Sequence, residues 1–255
     1  NKKLFGNKFK IISALSVFYD LQNPNSFLKG VESILAKEGI LLLEFADLAS
    51  IVKFNMFDTF CHEHLEYYSS KVIKEMCTKN NLRIFDVKQN NINGGSIQFF
   101  ICKKNAEYKN NLIALKRMDN IDRKHKLDKI VTFQKFIKRV NQIKIKLKKF
   151  IKQAKAKNKI IHGYGASTKG NVLLQYFGLS NKEIDFIAER NPKKYNLYTP
   201  GTKIKIISEK KSRSIKPDYY LVLPWHFKKE ILKREKKDFN NKSKFIFPLP
   251  NLKIY

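Results

Sequence analysis

Residues Ile40, Leu41, Leu42, Leu43, Glu44 and Phe45 form a nearly all-apolar run of strand length. A run of that kind is buried on both faces, the environment of a strand inside a parallel sheet rather than of a half-solvated one. What precedes it supplies a parallel partner. Ile11 to Val17 is a second short apolar segment, and Asn23, Pro24, Asn25 and Ser26 carry helix-start chemistry with proline near the first turn. Phe27, Val31, Ile34 and Leu35 then recur at helical spacing, and Glu38 with Gly39 is predicted to end that helix. Strand, helix and strand in this order make a βαβ unit, so the chain contains an open α/β sheet.

The pattern continues downstream. Ser69 or Ser70 is placed to cap a helix through Val72, Ile73, Met76 and Cys77, which Asn80 and Asn81 end. Leu82 to Val87 and Ser96 to Cys102 read as two strands joined by the turn-rich QNNINGGS, an antiparallel hairpin that closes the sheet. From Asp122 to Lys157, apolar residues at Ile130, Phe133, Ile137, Val140, Ile143 and Leu147 predict one long amphipathic helix with a Lys-rich solvated face. Beyond it, strands at Lys159 to His162, Ile184 to Ile187, Tyr219 to Leu223 and Lys244 to Phe247 alternate with helices at Thr168 to Phe177 and after Pro224, Trp225 and His226. That alternation predicts a second α/β unit. The expected division is a first domain over 1–120 and a second over 121–255, introduced by the long helix.

Composition narrows the class. A hydrophobic fraction of 43% and an aromatic fraction of 13% over 255 residues suffice for packed cores. No apolar run approaches the roughly 18–20 residues that a membrane helix needs. The opening NKKLFGNKFKIISAL does not read as a signal peptide, because its apolar segment is short and interrupted by lysine; it reads as entering a domain just before a strand. Cys61, Cys77 and Cys102 have neither metal-ligand spacing nor an even count, so no metal site and a reducing, cytoplasmic compartment are expected. A net charge of +30 has the footprint of phosphate binding. The lysines are spread over every segment, together with abundant Asn and Ile, and no nucleic-acid-binding motif accompanies them. This argues against a nucleic-acid partner.

Two segments carry candidate chemistry. Cys61, His62, Glu63 and His64 lie within FDTFCHEHLEYYS, after a strand and loop where catalytic groups are commonly presented. The spacing is not the HExxH of a zinc peptidase. In an extended segment, alternation would put His62 and His64 on one side and Glu63 on the other. An imidazole titrates near neutral pH and suits proton abstraction next to a carbonyl; capping and hydrogen bonding around a buried loop is the plain alternative. The second segment, Gly163 to Gly170, joins a strand to a helix, where small residues expose backbone N–H groups as an anion site and Lys169 adds a point charge. It is neither a full GxGxxG nor a Walker loop, and a ligand-free tight turn is the alternative. The hairpin tip at Asn93, Gly94 and Gly95 could likewise bring backbone to a ligand or simply turn.

Taken in order, FYDLQNP at Phe18 to Pro24, DTFCHEHLEYYS at Asp58 to Ser69, NGGS at Asn93 to Ser96, GYGASTKGN at Gly163 to Asn171 and LVLPWHF at Leu221 to Phe227 form a series. This series resembles the S-adenosylmethionine-dependent C-methyltransferase family that includes deoxysugar 3-C-methyltransferases, over nearly the whole chain. The resemblance implies an N-terminal zinc-binding domain with four cysteines, a central methyltransferase Rossmann domain and a C-terminal Rossmann-like domain. The sequence matches the later strands of the central domain and the C-terminal domain, without the zinc cysteines, the Gly-rich loop or the acidic strand end that hold most of S-adenosylmethionine. The implied fold is thus the C-terminal half of a class I methyltransferase sheet followed by a second Rossmann-like α/β domain.

Carried over by motif, His64 is implied as the catalytic base, with Glu63 as its polar neighbour and Tyr67 or Tyr68 as helpers. Cys61 stands where the sugar enzymes have a tyrosine. The implied reaction is deprotonation alpha to the ketone of a nucleotide-linked keto-sugar and methyl transfer to that carbon, with S-adenosylmethionine as donor. The residues expected at the substrate are Asn93, Gly94, Gly95, Gly163, Tyr164, Gly165, Ser167, Lys169 and Asn171. The alternative function is a nucleotide-sugar-binding module, derived from such an enzyme, that performs no chemistry.

Overall fold

The computed structural model describes residues 8–238 and 243–255 and divides the chain into two compact units, Asn1–Lys53 with His62–Phe133 and Phe54–Cys61 with Gln134–Tyr255. The division expected between 120 and 121 thus falls at 133 and 134, and a short strap, 54–61, joins the second unit.

Unit 1 begins with β1 (Phe9–Leu15), a 3-10 turn at Phe18–Asp20, α1 (Pro24–Ile34) and β2 (Leu35–Ala46). The Asn23 side chain accepts the Ser26 N–H at 2.9 Å and Pro24 occupies the first helical turn, as the sequence signals. β2 pairs parallel to β1, and Leu41, Leu43 and Phe45 are buried, the environment that their unbroken apolar run predicts. After α2 (Leu48–Lys53) and α3 (Ser70–Lys79), capped by Ser69, the hairpin of β3 (Leu82–Asn90) and β4 (Ser96–Lys103) completes the sheet. The strand order is β1-β2-β4-β3, with β4 antiparallel to both neighbours. α4 (Leu112–His125) follows. Phe18 and Phe45 stack at 6.1 Å in the core, with Phe99 and Tyr68 against Phe45.

Two boundaries differ from expectation. The first helix ends at Ile34, not at Gly39, because β2 starts at Leu35 and the register slips between Phe9↔Leu35 and Ile11↔Ile40. A Cβ on Gly39 would lie 2.7 Å from the Phe9 carbonyl oxygen, so this glycine permits close approach at a bulge instead of stopping a helix. The single long helix is two helices: Lys126 takes a left-handed conformation (φ 49°) and α5 (Ile130–Ala156) begins anew. Leu127 is buried in the break, so hydrophobic spacing runs on through it and conceals it.

Unit 2 contains β5 (Ile161–Tyr164), α6 (Thr168–Phe177), β6 (Phe186–Glu189), β7 (Ile206–Ser208), α7 (Glu209–Ile215), β8 (Tyr219–Val222), α8 (Lys228–Asp238), β9 (Lys244–Phe247) and β10 (Lys253–Ile254). The strand order is β10-β9-β8-β5-β6-β7, parallel except for β10. Reading the parallel strands as third, second, first, fourth and fifth gives the Rossmann order, whose chain direction reverses between β5 and β8. The strap is fastened into this unit. Asn55 donates to the Pro250 carbonyl at 2.9 Å and accepts from Arg139 at 2.8 Å, while Phe57 packs on Tyr176 and Phe177 at 5.0 Å each. No helix among the described residues is long and apolar enough to cross a membrane.

Candidate active site

In open α/β sheets ligands collect outside the carboxyl ends of the parallel strands. In unit 1 that position belongs to the turn after β1, where Phe18 is buried and Tyr19 and Asp20 are half-buried. The segment from His62 to Ser69 is tied to this turn: the N–H groups of Leu65 and Glu66 donate to the Tyr19 carbonyl at 2.9 and 3.1 Å. The FYD and HEH motifs therefore meet. His64 is half-buried, with its ring 4.2 Å from that of Tyr19 and 6.3 Å from that of Tyr67. Burial raises the Asp20 carboxyl above the usual range, against the favourable charge of His64 and with repulsion from Glu63. A carboxylate at this place would stabilise a positive charge on the His64 ring.

The neighbouring residues take other roles than alternation predicted. His62 and Glu63 sit in a turn, so the segment is not extended there, and His62 is 85% exposed while His64 is half-buried. Glu63 lies 3.9 Å from His62 and is open to solvent. Tyr67 is half-buried beside His64, whereas Tyr68 is core: it packs on Phe18 at 5.2 Å, and burial pushes its phenol up to about 12. Asp20 and Tyr19 were not singled out from sequence, although they lie in the FYDLQNP motif directly after a strand.

The hairpin tip is held by its own chain. Asn93, Gly94 and Gly95 all have positive φ, and the Gly95 carbonyl accepts from Asp47 N–H at 3.2 Å. A Cβ on Gly95 would meet the Ser50 side chain at 2.7 Å, so the bare backbone packs directly against that side chain.

In unit 2 the crevice at the reversal between β5 and β8 gathers residues from three distant stretches. Gly163 is a packing glycine, since a Cβ there would lie 2.3 Å from Ile187. Tyr164 is buried, its hydroxyl donates to Glu235, and Arg234 lies 5.5 Å over its ring. Gly165 turns at φ 82°, and Ser167 caps α6 by accepting the Gly170 N–H at 3.0 Å. The half-buried Asn171 donates its backbone N–H to the Ser167 carbonyl at 3.0 Å. The loop amide of Ala166 donates to Glu189 at 2.6 Å, so one backbone group of the expected anion site serves a carboxylate of the same chain.

Lys169, in the first turn of α6, is drawn to Asp58 of the strap. Asp58 is fully buried and accepts the Trp225 indole N–H at 2.8 Å. Burial lifts its carboxyl to about 6, against the pull of Lys169 and the indole bond. Burial likewise holds the Lys169 ammonium below its usual range and, with repulsion from Lys169, pushes His226 down to about 4. An adjoining cleft of about 340 Å³ is lined by Tyr164, Gly165, Glu189, Arg190, Phe227 and Arg234.

A sulfonium-bearing group calls for a carboxylate and an aromatic face. Asp20 Oδ1 is buried without a hydrogen-bond partner among the described residues and belongs to the residue after Tyr19, so this edge of unit 1 fits such a group. Among the described residues no group of three His, Cys, Asp or Glu side chains could hold a metal ion.

Comparison with known proteins places the chain. The C-methyltransferase NovU of Streptomyces niveus is 30% identical over 245 residues, covering 96% of this chain and 58% of NovU, so the chain spans little more than half of that relative. The crystal structure of magnesium protoporphyrin IX methyltransferase (ChlM) from Synechocystis PCC 6803 with bound SAH aligns with 40% of this chain and 48% of its own, at 14% identity and a TM-score of 0.31, a likeness too slight to carry weight. The family of the C-methyltransferase C-terminal domain matches residues 91–250, most of the chain, and the chain belongs to that family.

Proposed function

We propose that the chain serves S-adenosylmethionine-dependent methylation of the carbon next to the ketone of a nucleotide-linked sugar, with His64 as the base. The observation that carries this reading is the seat of His64, set between Tyr19 and Tyr67 at the carboxyl end of β1 with Asp20 beside it. Family membership supports methyl transfer to carbon. His64 takes the proton from the carbon alpha to the ketone, and the Asp20 carboxylate stabilises the imidazolium so formed. Tyr67 would donate to the enolate oxygen, and Tyr19 with Asp20 would hold the sulfonium side of the donor. S-adenosylmethionine, when bound, supplies the electrophilic methyl group that the carbanion takes up. Lys169 and the first turn of α6 would meet the diphosphate, and the aromatic and guanidinium-lined cleft beside Gly165 would take the nucleoside. Three free thiols support a reducing, cytoplasmic setting.

The test is exchange of the alpha proton in deuterium oxide, followed by NMR on a nucleotide-linked 4-keto-sugar with the intact protein. Exchange that depends on His64 supports the base. Undiminished exchange in His64→Ala would refute it. Tight binding of the sugar nucleotide with neither exchange nor methylation would mark a binding module instead.

A further inference from the structure

Three of the motif segments, far apart in sequence, meet in the crevice of unit 2: Asp58 from the strap, Lys169 from α6 and Trp225 from the turn after β8. The carboxylate at their centre is expensive. A fully buried ionised acid loses its hydration, and replacement by a neutral isostere commonly stabilises a fold. Asp58 nevertheless makes one side-chain hydrogen bond, from the indole to Oδ2 at 2.8 Å, while Oδ1 makes none among the described residues. Indole donates only and carries no charge, so it fixes the carboxylate without neutralising it. The positive charge that offsets it is the Lys169 ammonium, in the first turn of α6. Lysine is a point charge on a flexible four-carbon stem and must be held if it is to meet an anion at a set place.

We propose that Asp58 is a positioning residue, which the Trp225 indole fixes in place and which holds the Lys169 ammonium at the carboxyl ends of β5 and β8 for the diphosphate of the substrate. This rests on the reading above that Lys169 meets that diphosphate. The other titratable groups around the pair are Cys61 on the strap, His226 after β8 and Glu230 beyond it. The burial-raised carboxyl of Asp58 makes the arrangement pH-dependent, with the anchor lost when Asp58 takes a proton.

The experiment measures binding of inorganic pyrophosphate to the full chain by calorimetry, from pH 5 to pH 8. Lys169→Ala should weaken it about tenfold or more, and Asp58→Asn about three- to tenfold at pH 7.5. Wild type and Asp58→Asn should converge near pH 5; titration of the probe itself is common to both and cancels in their ratio. Trp225→Phe should fall between them. The sign is decisive, because Asp58→Asn removes a negative charge and would tighten anion binding if Asp58 merely competed. Equal or tighter binding by Asp58→Asn, or a ratio independent of pH, overturns the positioning role while leaving Lys169 at the anion. If pyrophosphate does not bind the wild type, or binds Lys169→Ala equally well, the diphosphate reading falls and this inference with it. A melting temperature retained or raised in Asp58→Asn, alongside weaker binding, excludes a merely structural cause.

Discussion

The two sheets differ in how their carboxyl ends are furnished. In unit 2 five strands run parallel, and the chain leaves β5 and β8 in opposite directions, so topology alone opens a crevice. Two of its titratable groups are deep: Asp58 is fully buried, and His226 is half-buried. In unit 1 the parallel run is the pair β1 and β2, and antiparallel β4 follows at once. There the site is assembled by loops, with the Tyr19 carbonyl collecting two amides of the His64 segment. A crevice made by strand order can bury charge and shift its titration. A site made by loops keeps its imidazole partly in water, where a base must exchange protons. The proposed division, binding by unit 2 and proton chemistry by unit 1, follows this contrast.

The largest effect that could break this division is kinetic. His64→Ala should lower methyl transfer by about 10²–10⁴-fold in the intact protein, as for a general base, whereas His62→Ala should change it little. Comparable losses in both variants would mean that the loop as a whole, and not His64, matters. Next comes acid stability. The His162 Nδ1 pairs with Ser212 at 2.7 Å, and burial lowers its pKa to about 4 from 6.5. The unfolded chain then binds the proton first, so stability present above pH 6.5 is lost as pH falls toward 4, by roughly 3 kcal/mol. His226 has the same sign. Asp58 has the opposite sign, because its raised pKa contributes stability at low pH that disappears as pH rises through about 6. Urea unfolding followed by the one tryptophan, Trp225, reports unit 2 directly. Its midpoint should fall between pH 7 and pH 5, and fall further in Asp58→Asn.

A smaller effect concerns the loop after β5. Gly165→Ala combines φ 82° with a Cβ 2.9 Å from Pro224 and should cost about 1–3 kcal/mol in the same assay. The smallest is Tyr68→Phe. The Tyr68 hydroxyl is buried with no hydrogen-bond partner among the described residues, so its removal should leave unit 1 within about 0.5 kcal/mol of wild type or stabilise it. A large loss by circular dichroism would show that the phenol has a use.

Much of this was legible where one segment carries its own signal. The run Ile40–Phe45 announced a buried parallel strand, and Asn23, Ser69 and Ser167 announced helix starts because capping is local. β7 and α7 were missed, since a three-residue strand is shorter than any periodicity. Gly39 misled because a glycine needed for close approach looks like one that ends a helix. His64 stood out as part of a motif, but Asp20 did not, because a lone acid after a strand has no spacing to betray it. The grouping of Asp58, Lys169 and Trp225 is a product of tertiary structure. No local rule links positions that far apart.

β1 has a further consequence. It is an edge strand of its sheet among the described residues, and Phe9, Ile11 and Leu15 are 37%, 74% and 53% exposed on it. An apolar edge of this kind is what a neighbouring strand or covering segment buries, and Lys8 and Lys10 are the charges beside it. For these 255 residues taken by themselves, light scattering of concentrated solutions should grow with time, and Ile11→Lys should slow that growth without touching either crevice. The practical limit on working with these 255 residues alone is set by the seven residues of β1.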